Sequence, residues 1–189
     1  MKLVSVFRAQ YPEIVIEPAE CHPRDQFQRL MEDELDVAIG TLFDASVPEA
    51  LASLRLAEYA PRLILPAGHR LAKDRSVASS RVRDEPFIGY AGPGSPTGME
   101  LTAGVLGFLP RTSCTVSTPA IAMGLVSAGF GLAVVPSSLT ASVGRDVVAI
   151  PIANCEKIID VSLIWNVGTH GAAERFIAIA NSLLKPGSS

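Results

Sequence analysis

Apolar positions along this chain alternate between two periods, one helical and one extended, and each switch falls at a turn-forming residue. Leu3, Val6, Phe7 and Gln10 stand at helical spacing and predict a helix over residues 2–10, which Tyr11-Pro12 stops. Ile14-Val15-Ile16 is β-branched and predicts a short strand. A second helix is expected over 25–34, with Asp25 as N-cap, Gln28 completing a capping box, and Phe27, Leu30 and Met31 facing inward. Asp36 to Gly40 is a mostly apolar run of strand length, as in sheets covered on both faces.

The series continues with strands at 54–56 and 62–65, then a polar connection over 67–86. Strand 87–90, a helix from about Thr97 with Glu100 in a T-x-x-E box, and strand 112–115 follow. Thr118 and Pro119 open a further helix, where the missing N–H of proline at the first position costs nothing. Gly129 and Gly131 turn the chain into strand 132–135. Strands at 147–151 and 159–167 precede a last helix over 172–184. Strands alternating with helices predict an α/β fold with a largely parallel sheet. The chain divides into two lobes, residues 1–66 with 151–189 and residues 67–150, joined by two crossings.

Charge narrows the functions. The 189 residues carry 16 basic and 19 acidic side chains, for a net charge of -3, and the basic ones are scattered. Binding nucleic acid rests first on clustered Lys and Arg, so a DNA-binding surface is not expected here. Cys21, Cys114 and Cys155 form no C-x-x-C pair and His22, His69 and His170 show no metal-ligand spacing, so no zinc site is expected. This cysteine usage suits a reducing cytoplasm. The apolar run at the N-terminus is short and broken by Arg8, and no segment has the length of a membrane span. No nucleophile elbow, dinucleotide fingerprint or catalytic triad is present, so neither a cofactor nor catalysis is expected.

Four stretches, taken together, resemble the effector-binding domain of LysR-type transcriptional regulators. Phe7 to Ile14 is similar to the family's F-x-x-x-Y-P-x-V segment, and Glu34-Leu35-Asp36-Val37-Ala38-Ile39 to its "geLDlai" segment. Leu65 to Ala72 is similar to "lP-x-x-H-P-L-A", with Arg70 where proline is usual, and Val126 to Pro136 to "V-x-x-G-x-G-i-a-l-l-P". The resemblance implies a two-lobed periplasmic-binding-protein-like (type 2) fold with two crossover connections. By the same resemblance the chain starts inside the helix that follows the family's first strand, so that strand is expected to be missing. It further implies a small effector, often carboxylate-bearing, held between the lobes, and a homodimer or homotetramer. DNA would be read only through an N-terminal winged helix-turn-helix that this chain lacks, and no membrane is involved.

Seven residues are candidate ligand contacts. Cys21 and His22 lie in the turn that, by resemblance, borders the effector, with His22 as the polar contact. Gly40 and Thr41 end a central strand, where their backbone would face the crevice. Ser95 and Thr97 open the helix after strand 87–90, where free N–H groups and hydroxyls suit a carboxylate. Thr118 caps the next helix. The plainer readings are a surface turn for Cys21 and His22, a strand end for Gly40 and Thr41, and ordinary helix capping for Ser95, Thr97 and Thr118. His69 is expected to order the connection rather than touch a ligand. Alternative readings of the same architecture are a solute-binding protein of a transport system, an enzyme, or a ligand-free dimerisation module.

Overall fold

A computed structural model describes residues 2–21, 23–41, 47–90 and 99–184. The elements begin with α1 (Lys2–Gln10), α2 (Pro23–Met31), β1 (Ala38–Thr41), β2 (Leu51–Tyr59), β3 (Pro61–Pro66) and β4 (Pro86–Tyr90). They continue with α3 (Glu100–Leu106), β5 (Arg111–Val116), α4 (Pro119–Ser127), β6 (Ala133–Pro136), β7 (Val147–Pro151), β8 (Ile159–Asn166) and α5 (Ala172–Leu184). The chain forms two compact units, Met1–Glu58 with Asp160–Ser189, and Tyr59–Ile159. These divisions fall several residues from the expected 66/67 and 150/151. The cause is β3, which hydrogen-bonds between β6 and β7 and so belongs with them.

In the first unit β8 is the central strand of a three-stranded sheet, in the order β1-β8-β2. Alternate residues of β8 leave opposite faces. Leu163 packs with Phe7 of α1 and with Phe176, Ile179 and Ala180 of α5. Ile164 points the other way, into a cluster with Leu30 of α2, Ala38 and Leu51. The Phe7 and Phe176 rings meet edge-on at 5.1 Å between centroids, a favoured aromatic geometry.

In the second unit β3 is central to the sheet β6-β3-β7, and β4 and β5 form a separate parallel pair. A parallel bridge between Phe87 and Leu132 joins the two sheets, with Ile88 N donating to Leu132 O and Leu132 N to Pro86 O, both at 2.8 Å. α4 covers this assembly, burying Ala122 and Val126 against Ile64, Ile88, Ala133 and Val135. His69 accepts the Leu71 N–H at Nδ1 (3.2 Å) and faces Glu85 Oε1 through Nε2 (3.3 Å). That pattern places the ring proton on Nε2. Arg70 reaches the same Glu85 oxygen at 3.1 Å and the Arg81 carbonyl at 2.8 Å, so the turn after β3 is tied to the residue before β4.

Several expectations need correction. The sheets are not largely parallel: β1–β8, β3–β6 and β3–β7 are antiparallel, whereas β4–β5 is a parallel pair and Phe87–Leu132 a parallel bridge. The β4–β5 pairing comes from a strand–helix–strand passage kept inside one unit, β4–α3–β5. Ile14-Val15-Ile16 alternates in burial as a strand would, with Val15 80% exposed, but forms no strand. Ile14 and Ile16 join the Phe7 cluster without a ladder partner among the described residues. Asp25 lies inside the first turn of α2 rather than at its cap, and Gln28 donates to Glu32 Oε1 at 2.8 Å instead of closing a capping box. The N-cap position of α3 is Met99, whose side chain makes no capping bond, and Thr97 lies outside the described residues.

Two backbone and packing features give measurable expectations. Gly131 has φ +152°, and a Cβ there would lie 2.6 Å from the Pro86 carbonyl oxygen. Gly131→Ala should therefore cost about 2–4 kcal/mol, read as a lower denaturant midpoint at unchanged slope. A loss below about 0.5 kcal/mol would show that the Pro86–Leu132 junction yields easily. Thr102 Oγ1 is sealed from solvent with no hydrogen-bond partner. Replacing it by the isosteric valine should raise stability by about 1 kcal/mol in the same experiment. A loss instead would mean that the hydroxyl is satisfied.

Candidate functional site

α2 packs on β1 with Gln26 and Leu30, one turn apart, turned inward; Leu30 is wholly buried and Gln26 is 9% exposed. Met31, expected to face inward, is 44% exposed. The buried stripe thus carries a polar side chain, Gln26, that the expected stripe of Phe27, Leu30 and Met31 did not include. Gly40 makes this possible. A Cβ on Gly40 would stand 2.5 Å from Gln26 Oε1 and 3.3 Å from Nε2, so the amide occupies the space that the glycine leaves. Gly40 pairs with Ser162 across the antiparallel β1–β8 ladder. Directly opposed residues project from the same face, so the Ser162 side chain, 2% exposed, leaves the sheet on the side that the Gln26 amide covers.

A depression of about 430 Å³ lies beside this amide, lined by Pro18, Ala19, Glu20, Cys21, Gln26 and Ile39. Among the described residues, neither the Gln26 amide nor the Ser162 hydroxyl has a hydrogen-bond partner, and neither is sealed from solvent as Thr102 is. Among its described lining residues Glu20 is the one acid and none is a cation.

Of the candidate contacts, Cys21 and Gly40 come together here, with Gln26 between them. Thr41 ends β1 opposite Val161, half-buried. His22, Ser95 and Thr97 lie outside the described residues. Thr118 belongs to the second unit, where its hydroxyl accepts the Ile121 N–H at 3.4 Å and caps α4. The carboxyl ends of β4 and β5 are neighbours, since Tyr90 pairs with Val116, and Thr118 follows directly. Burial pushes the Tyr90 phenol far up, and its hydroxyl donates to the Val134 carbonyl at 3.0 Å. It therefore stays protonated and holds β4 to β6 rather than acting as an acid.

Gln26 and Ser162 were not among the candidates. The available signal was a polar residue four positions before buried Leu30, with a glycine ending the strand beneath it. Among the described residues no group of three His, Cys, Asp or Glu side chains could hold a metal ion. Nor is any described helix long and apolar enough to cross a membrane.

Similarity to known proteins fits this architecture. The LysR substrate binding domain family matches residues 1–185. The chain is 29% identical over 168 residues to the uncharacterized HTH-type transcriptional regulator YnfL of Escherichia coli, covering 86% of this chain and 55% of that protein. It spans about half the length of the curated relatives it matches. Its fold is similar to the QuiR effector binding domain in complex with shikimate (TM-score 0.82, 19% identity, 96% of this chain and 88% of that one). It is also similar to the BenM effector binding domain with its effector benzoate (TM-score 0.79, 18% identity, 96% and 84%). With its two units of mixed sheet and helix and this match over nearly its whole length, the chain belongs to the LysR substrate binding domain family and has that family's two-lobed, type 2 periplasmic-binding-protein-like α/β fold.

Proposed function

We propose that this chain is the effector-sensing domain of a LysR-type regulator, binding a small carboxylate-bearing metabolite without transforming it. The observation that carries the reading is the family match over residues 1–185. Two fold neighbours hold benzoate and shikimate, both carboxylates, which supports that ligand class here. On this reading Cys21, His22, Gly40, Thr41, Ser95, Thr97 and Thr118 serve the ligand, and the lobes are residues 1–66 with 151–189 and residues 67–150. Gly40 contributes through the space it leaves for Gln26. In the intact regulator a homodimer or homotetramer in the cytoplasm contacts DNA through a separate helix-turn-helix part, as the HTH-type name of the relative supports. The bound metabolite changes that assembly only as far as it binds its two states unequally.

Thermal denaturation against small carboxylates, aromatic acids and amino acids, benzoate and shikimate included, tests the reading. One class should stabilise saturably, by about 2.7 kcal/mol at a hundred times its Kd, with no turnover of the compound. Ser95→Ala with Thr97→Val should then weaken that binding roughly tenfold or more, measured by calorimetry. Stabilisation by none of the panel would sink the sensing function, whereas unchanged affinity in the double variant would remove those two residues from the site.

A further inference from the structure

We propose that Gln26, seated in the space left by Gly40 and backed by Ser162, is a specificity-determining residue that selects effectors bearing an uncharged hydrogen-bonding group, a hydroxyl or carboxamide, in addition to any carboxylate. This inference rests on the sensing function proposed above and names what one part of that site recognises.

Three observations lead to it. A glutamine amide buried to 9% exposure on the inward stripe of a helix is costly unless hydrogen-bonded, yet among the described residues this amide has no partner. Its oxygen stands 2.5 Å from where a Gly40 Cβ would be, so any side chain at position 40 would displace it. The amide borders an open depression of about 430 Å³ and is not sealed in the core.

The chemistry of the lining sets the ligand class. A glutamine amide offers two donors and one acceptor oxygen. Such an amide is satisfied by a group that also donates and accepts. A carboxylate accepts only, and among the described lining residues there is no cation to meet one, while Glu20 repels it. A site built around a hydroxyl discriminates strongly against an analogue lacking it, because its own polar groups are then left unpaired. An apolar pocket of the same shape would not.

Calorimetry with matched acids tests the assignment: benzoate against 3-hydroxybenzoate and 4-hydroxybenzoate, and cyclohex-1-ene carboxylate against shikimate. The wild-type protein should bind a hydroxylated member roughly tenfold or more tightly than its hydroxyl-free partner. Gln26→Met, which keeps length but loses the hydrogen bonds, should reduce that preference to within about twofold, with the hydroxyl-free acid little affected. Gly40→Ala should do the same with Gln26 still present, by displacing its amide. Denaturant midpoints establish that each variant is folded, and either folded variant alone decides the matter. Equal wild-type affinities within every pair would overturn this inference and leave the sensing function standing, as would retention of the preference in a folded variant. Binding of no probe would overturn both.

Discussion

The antiparallel pairing of β8 with β1 is the constraint on which the first unit depends. β8 comes from the far end of the sequence, yet it lies between β1 and β2 and supplies the residues that seal both faces of their sheet. Leu163 closes the α1–α5 side, and Ile164 closes the α2 side. Until residues 160–166 arrive, the N-terminal helices have no common surface to bury against. Such long-range pairing forms slowly, because loop closure must precede the contacts that reward it. The same register that places Ile164 opposite Ala38 places Ser162 opposite Gly40. A slip of one residue would send Ser162 to the opposite face and bring Leu163 beneath the Gln26 amide. The core and the candidate site are thus set by one alignment of strands.

The second unit is organised by the equivalent device, with β3 central and the parallel β4–β5 pair attached through the Phe87–Leu132 bridge. Its fixed points lie at the opposite ends of β4. His69 and Arg70 hold Glu85 just before the strand, and the Tyr90 hydroxyl binds the Val134 carbonyl at its last residue. Arg70, where the family usually has proline, contributes two of these bonds, to Glu85 and to the Arg81 carbonyl. A strand anchored at both ends presents its carboxyl end, and the neighbouring start of α4, at a fixed height. That is the edge at which Thr118 stands.

Much of this architecture was legible in the sequence where a single local rule decides the outcome. Helix α1 was bounded by its spacing and by Tyr11-Pro12, and the Thr118-Pro119 cap was readable because proline at the first helical position and a hydroxyl before it leave little choice. Legibility failed where tertiary partners decide. Ile14 and Ile16 have the alternation of a strand, but a strand also needs a neighbour, which no local pattern encodes. On α2, Leu30 and Phe27 pack inward as expected, but Met31 is exposed and Gln26 is buried, because Gly40 admits Gln26 where bulk would have excluded it. The compact units divide before β3 rather than at 66/67, because β3 follows β2 in the chain but is bonded to β6 and β7. Gly40 is a candidate for its backbone, and the structure adds that the Gln26 amide occupies the space it leaves.

Thr102 and Gln26 both stand unpaired in buried settings among the described residues, and the contrast between them bears on the meaning of each. Thr102 is wholly enclosed, so its hydroxyl can meet neither solvent nor ligand and acts only as a cost, of about 1–3 kcal/mol. Gln26 is nearly as buried, but its amide reaches a depression, where an arriving group can supply the bonds it lacks. A leucine at position 26 would bury comparable area with no unpaired polar atoms, and an alanine at position 40 would stiffen β1. The pair present instead gives up both gains and keeps an amide at the edge of an open hollow. Stability alone supplies no reason for that arrangement; recognition of a hydrogen-bonding ligand does.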